Sequence, residues 1–224
     1  DRRWVKIVWL LRVAAASEGR AAVALWDLLL LPWLTAFDAA RQTKVADWLA
    51  TRLGVREAFS PIRLTRVIEA FEAQLDAELK ANDLDYDESG RLQFSSTDLA
   101  AIIGDAKGGA AAPRMKYSRP RRYGDTHIGA RVSQIDALLL RIADYVSEIA
   151  AHGKSLAAYR AQTLWLDESL TDRAAANLDA TAAAIANLAE RAGSVRAGFL
   201  GLPRLTVDSR VRPEPVAHES LGEA

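Results

Sequence analysis

No cysteine occurs in the 224 residues. Disulfides, thiolate zinc sites, iron–sulfur clusters and cysteine nucleophiles are therefore excluded, although a secreted fold without disulfides stays open. Net charge is absent too. The 29 Lys and Arg balance 29 Asp and Glu, so no overall field draws the molecule to nucleic acid or anionic lipid. Nor is there a run apolar enough to cross a bilayer. The densest stretch, 21–34, is interrupted by Asp27 and Pro32 and is too short, so it reads as buried helix. No signal peptide is visible, and the expected location is cytoplasmic. The first residue is Asp1 rather than Met, which reads as an internal segment of a longer protein.

Catalytic signatures are missing as well. The segment Gly104-Asp105-Ala106-Lys107-Gly108-Gly109 has glycine and lysine but not the strand–loop–helix spacing that aims N–H groups at a triphosphate, and it reads as linker. His127, His152 and His218 have no second ligand at metal-binding spacing. No Gly-x-Ser-x-Gly elbow frames a serine. The carboxylates Asp85, Asp87 and Glu88 lack the glutamate that would complete a calcium loop. The chain is expected to hold no complete active site and no metal.

What is present is helix. Half the residues are apolar, and alanine-rich stretches favour helix. Residues 3–16 are apolar on most sides, as in a helix covered all round, and Gly19 is placed to end it in a left-handed turn. Asp27 is expected to cap a short helix over Leu28, Leu29, Leu30 and Leu31, limited by Pro32. A third helix is expected near 35–53, offering Phe37, Val45, Trp48, Leu49 and Leu53 to a core and closed by Gly54. These make one compact helical domain, 1–57.

A heptad pattern follows. Ser60-Pro61 is a strong helix start. Leu64, Ile68, Phe71, Leu75 and Leu79 then share a face. Ile128, Val132, Ile135, Leu139, Ile142, Val146 and Ile149 alternate at four–three steps, and Leu178, Thr181, Ile185, Leu188, Ala192, Val195 and Phe199 do likewise. Three such stripes must be buried, and burying them together gives an antiparallel three-helix bundle over 58–82 and 127–200. With helices of roughly 20–28 residues the bundle is expected as an elongated coiled-coil arm of roughly 30–40 Å. The fold class is thus all-α.

An insert, 83–126, interrupts the bundle. Residues 91–94 suit a short strand and 97–104 a short helix, while 107–125 reads as a mobile loop. In it Arg114, Lys116, Arg119, Arg121 and Arg122 interleave with Tyr117 and Tyr123. These seven are the candidate partner-binding residues: such a mix can meet an acidic protein surface, or neutralise phosphates and stack on bases. The neutral chain argues against nucleic acid. The tail, 201–224, has prolines but no periodicity and is expected to be disordered.

The opening carries a family pattern. Asp1-Arg2-Arg3-Trp4, Leu10-Leu11, the alanines at 14–16, Gly19-Arg20, Val23 and Asp27 through Leu31 resemble the stretch that opens the lid of MoxR-family AAA+ ATPases of the RavA type. The resemblance covers about 1–82 and 127–200, more weakly in the second part. It implies an AAA+ lid-like domain followed by a triple-helical domain with an insert, in a parent that binds ATP and Mg²⁺ and remodels clients as a chaperone. It also implies that the P-loop core lies upstream. Arg2, with Arg3 second, matches the sensor-2 arginine that reaches the nucleotide's phosphates. Implied partners are the chain's own AAA+ core, neighbouring subunits of a hexamer, and a protein with a von Willebrand A domain. The insert departs from the family: it is too short for the β-rich domain that binds an inducible lysine decarboxylase in the RavA relatives. The competing expectation is a free-standing helical scaffold, or a nucleic-acid-binding module using 107–123.

Overall fold

The computed structural model describes residues 2–83, 119–166, 168–207 and 210–222. Helix α1, Arg2–Ser17, buries Ile7, Leu11, Ala14 and Ala15. It stops as its glycine requires. Gly19 adopts φ 73°, Arg20 N–H donates to Ala15 O at 2.9 Å and Gly19 N–H to Ala16 O at 3.0 Å, the paired bonds of a Schellman turn.

The next segment differs from expectation. Asp27 does not precede a helix over the leucines. It lies inside a 3₁₀ helix, Leu25–Leu30, and its carboxylate accepts the Ala24 N–H at 2.6 Å. Pro32 does not limit that helix either; it sits in the first turn of α2, Leu31–Thr35, where proline's missing N–H costs nothing. Helix α3, Ala39–Ala50, is shorter than expected because Asp38 caps it, accepting the Arg41 N–H at 2.8 Å. Ala46, Leu49 and Ala50 carry its buried face. Phe37 and Trp48, expected in the core, are 76% and 55% exposed. Gly54, at φ 77°, closes the region under Trp26 and Leu178, whose atoms would lie 3.1 Å from any Cβ there.

Three long helices follow: α4, Pro61–Lys80; α5, Asp125–Arg160; and α6, Glu168–Leu200. The α6 stripe is buried as expected, with Leu178, Ile185, Leu188, Ala192, Val195 and Phe199 inside and Thr181 half-buried. The α5 stripe keeps Ile128, Ile135, Ile142 and Ile149, but between them it buries Arg131, Leu138 and Tyr145 rather than Val132, Leu139 and Val146. Leu138-Leu139-Leu140 lets two frames satisfy the same pattern, and the one containing a paired arginine is the real one. At the end of α4, Leu79 is 54% exposed and Glu78 is buried in its place.

The described chain is all-α except for one two-residue antiparallel ladder, β1 (Asn82–Asp83) with β2 (Arg119–Pro120), in register Asn82↔Pro120. The strand expected at 91–94 and the helix at 97–104 lie outside the described residues. Two compact units make up the fold. One comprises 1–69, 136–193 and 217–224; the other 70–135 and 194–216. Within the first, the Arg160 guanidinium pairs with Asp172, so α5 and α6 meet end to start. Within the second, Glu78 near the end of α4 meets Arg131 near the start of α5. The tail corrects the expectation of disorder: Leu202, Val216 and Leu221 are buried, Val216 N–H donates to Gln134 Oε1 at 3.2 Å, and Arg63 bonds Glu219 at 2.7 Å. A few apolar anchors hold an extended segment that has no period to detect.

Candidate functional site

Three places in the described residues carry chemistry. The first is the start of α1. Arg2 is exposed and has no partner among the described residues, whereas Arg3 donates to Thr35 O at 2.7 Å and lies over the Phe37 ring at 4.6 Å. Asp1 lies outside the described residues. Beyond the arginines one side of α1 is apolar and open: Trp4, Val5, Val8 and Trp9 are each more than half exposed. Helix α1 is thus not covered all round, as its composition suggests, but on one side. The opposite flank forms an apolar hollow of about 330 Å³ against Leu30, Trp33, Leu34 and Trp165. A soluble surface seldom leaves so many large apolar side chains together without a partner for them.

The second place is a buried polar knot behind that helix. Asp27 is fully buried. Arg20 grips it with two nitrogens at 2.6 and 2.7 Å and reaches Glu18 at 2.5 Å. The Tyr159 hydroxyl of α5 donates to Asp27 at 2.9 Å. Glu18 in turn accepts from the Thr163 hydroxyl and the Leu164 N–H, both at 2.9 Å. Burial alone would raise the Asp27 pKa; Arg20, the Ala24 N–H and Tyr159 outweigh it and hold it below the usual value. Burial, with the nearby carboxylates, pushes Tyr159 up to about 12. Both carboxylates are neutralised and hydrogen-bonded, and Asp27 is shut from solvent, so the knot fixes geometry rather than performing chemistry. Sequence reasoning took Asp27 for a helix cap. The signal that it is more was Glu18-Gly19-Arg20, two opposite charges folded back by a left-handed glycine.

The third place lies at the foot of the insert. Of the seven candidate partner-binding residues, Arg114, Lys116 and Tyr117 lie outside the described residues, and of Arg119 only the backbone, in β2, is described. Arg121, Arg122 and Tyr123 are described, and they part company. Arg121 and Arg122 are exposed; Tyr123 is buried. The Tyr123 hydroxyl donates to Glu78 O at 2.8 Å, its ring lies 4.7 Å from that of His127, and its backbone bridges to Arg204. Burial raises its pKa, with Glu78 adding to the effect. Its ring is therefore unavailable for stacking on a base. Glu78, unremarked in the sequence, is the hub here: Arg131 Nε donates to it at 2.8 Å, Gln74 Nε2 at 2.8 Å, and His127 Nε2 lies 3.1 Å away.

The comparisons with known proteins bear on the first place. Residues 1–49 match a family model, the AAA lid domain. No curated protein matches the chain, and no solved structure does. The match ends within α3, so it spans both exposed arginines, the open apolar face and Asp27, and it marks this part of the chain as an AAA+ lid-like region. No helix among the described residues is long and apolar enough to cross a membrane.

Proposed function

We propose that the chain is the lid and partner-interaction arm of a MoxR-family AAA+ ATPase of the RavA type, working in the cytoplasm as a chaperone-like remodelling motor. The observation that carries this reading is the coincidence, inside the AAA lid match, of an arginine with no partner among the described residues and an open apolar helix face. A lid needs both. The apolar face of α1 supplies a surface to rest on the nucleotide-binding core and on a neighbouring subunit of a hexamer. Arg2, at the rim of that face, is the group to read the nucleotide. A guanidinium there bonds phosphate oxygens bidentately and loses those bonds when the γ-phosphate leaves, which turns hydrolysis into lid movement. ATP and Mg²⁺ belong to the parent's core, and the chain by itself supplies only the sensing arm. A von Willebrand A domain protein is the partner class that the family resemblance suggests.

The experiment is Arg2→Ala in the full-length parent. Hydrolysis should fall by about 10²-fold, as when a positioned charge near developing phosphate charge is removed. The same change at Arg3, which is spent on Thr35 and Phe37, should cost far less. Turnover at the parent's rate in Arg2→Ala would sink the sensor assignment.

A further inference from the structure

The groove at the foot of the insert has no role in the lid reading, and its chemistry is specific. It has a volume of about 600 Å³, inside the roughly 300–1,000 Å³ range of ligand sites, and all its walls belong to one compact unit. Its two acids are neutralised in different degrees. Glu78 is 6% exposed and engaged by Arg131, Gln74 and His127. Asp83 is engaged only loosely, by Arg121 at 3.6 Å. The cations on the rim are under-used: Arg122 is exposed and has no partner among the described residues, and Arg121 has only that long pair and a Tyr123 ring 5.9 Å away. The opposite wall is apolar, with Leu205 and Val211 39% and 64% exposed beside Pro213.

From this we infer that the groove binds an extended acidic segment of a partner protein, with a carboxylate on Arg122 and Arg121 and a neighbouring aliphatic side chain on Leu205 and Val211. The charge complement is the first reason. Two exposed guanidiniums line one groove and each can take a carboxylate in fork geometry; of the two acids there, Glu78 is neutralised by Arg131 and Asp83 holds Arg121 only at 3.6 Å. The apolar wall is the second, since it would gain nothing from a bare anion. A nucleic-acid strand is disfavoured by the same geometry: strand binders stack bases on exposed aromatics, and here the one described aromatic of the basic segment, Tyr123, is locked inward. The inference deepens the partner-binding half of the proposed function and rests on it for its biological meaning. Its test needs no nucleotide, so it can fail while the lid reading stands.

The probe is a fluorescein-labelled ten-residue Glu/Leu peptide, titrated with the 224-residue chain and followed by anisotropy. Saturable binding is expected, weakened by salt. Arg122→Glu should lower the affinity about tenfold and the Arg121→Glu/Arg122→Glu pair further, with melting temperature unchanged, because a rim charge tunes binding without holding the fold. Arg114→Glu/Lys116→Glu should stay within about twofold, which separates the groove from general basicity of the insert, and Val211→Ser should weaken the peptide. Equal loss in the Arg114/Lys116 variant overturns the inference, as does tighter binding of a ten-nucleotide oligothymidine. So does complete displacement by millimolar inorganic phosphate, which would reduce the site to a simple anion hole.

Discussion

Helices α1 and α6 are both rich in apolar residues, yet they use them in opposite ways. Along α6 nearly every apolar heptad position is buried, down to 0% exposure at Ile185 and Phe199. Along α1 four residues are buried while Trp4, Val5, Val8 and Trp9 face out. The difference is periodicity. A stripe at heptad spacing fits one partner face and is consumed inside the chain. A helix apolar on most sides has more surface than its own chain can cover, and the excess is where another surface is expected to sit. In α6 the apolar stripe is consumed inside the chain; in α1 Trp4, Val5, Val8 and Trp9 stay uncovered among the described residues.

The largest test of that contrast pairs one change in each helix. Ile185→Asp places a carboxylate at a position with no solvent, which costs several kcal/mol and should abolish the cooperative thermal transition seen by circular dichroism. Val5→Gln with Trp9→Gln, at positions 71% and 62% exposed, should leave stability within roughly 0.5 kcal/mol per change. Should the α1 pair unfold the chain as readily as Ile185→Asp, the open face belongs to the chain's own core and the contrast is lost.

How far these arrangements were legible follows the same line. The α6 stripe, the Ser60-Pro61 start and the Gly19 and Gly54 turns were readable because each rests on a local rule with one solution. The alternate positions of α5 were not: Leu138 and Leu139 are equally apolar, and Arg131 is buried against Glu78 and the Glu214 carbonyl, both far away in sequence. Single-residue apolarity also misplaced Leu79 inside the α4 stripe and Phe37 and Trp48 inside a core. At the sites, the different surroundings of Arg2 and Arg3, and of Arg122 and Tyr123, depend on tertiary partners that no local pattern carries. Tyr159, Glu78 and Leu221 act through contacts across long sequence distances, which no local pattern encodes.

A second test concerns how the α1 region is held. Where α6 relies on a long apolar stripe, the segment after α1 is tied by the knot of Arg20, Asp27 and Tyr159. Asp27→Asn leaves Arg20 its Glu18 partner but sets an amide NH2 among the buried donors Arg20, Ala24 N–H and Tyr159, so a loss of roughly 1–3 kcal/mol is expected in denaturant unfolding. The pH sign follows from the depressed pKa. A carboxylate held below its usual value of 3.8 contributes stability that is complete above that value and is lost as pH falls through the lower folded-state value. The native chain should therefore lose stability below about pH 4, and Asp27→Asn should flatten that acid limb. An unchanged acid limb in the variant would show that other carboxylates, Glu18 first among them, dominate it.

The smallest expected effect decides the register of α5, the one stripe in which the two frames compete. Leu138 is 6% exposed and Leu139 is half-buried. Truncating a buried leucine to alanine removes its contacts and leaves a cavity, at a cost of roughly 2–5 kcal/mol, with the smaller values where the site can relax or is partly wet. Leu138→Ala should therefore exceed Leu139→Ala by about 1–2 kcal/mol, read as a shift in the urea midpoint at constant slope. Because the two residues are adjacent on one helix and the substitution is the same, helix propensity cancels between them and the difference reports packing alone. Leu140→Ala, at a position 66% exposed, supplies the baseline and should be close to neutral. If Leu139→Ala proves the more costly of the pair, the four–three frame of Val132, Leu139 and Val146 is the packed one. Arg131 would then leave the interior, and Glu78 would lose the partner that lets it stay there.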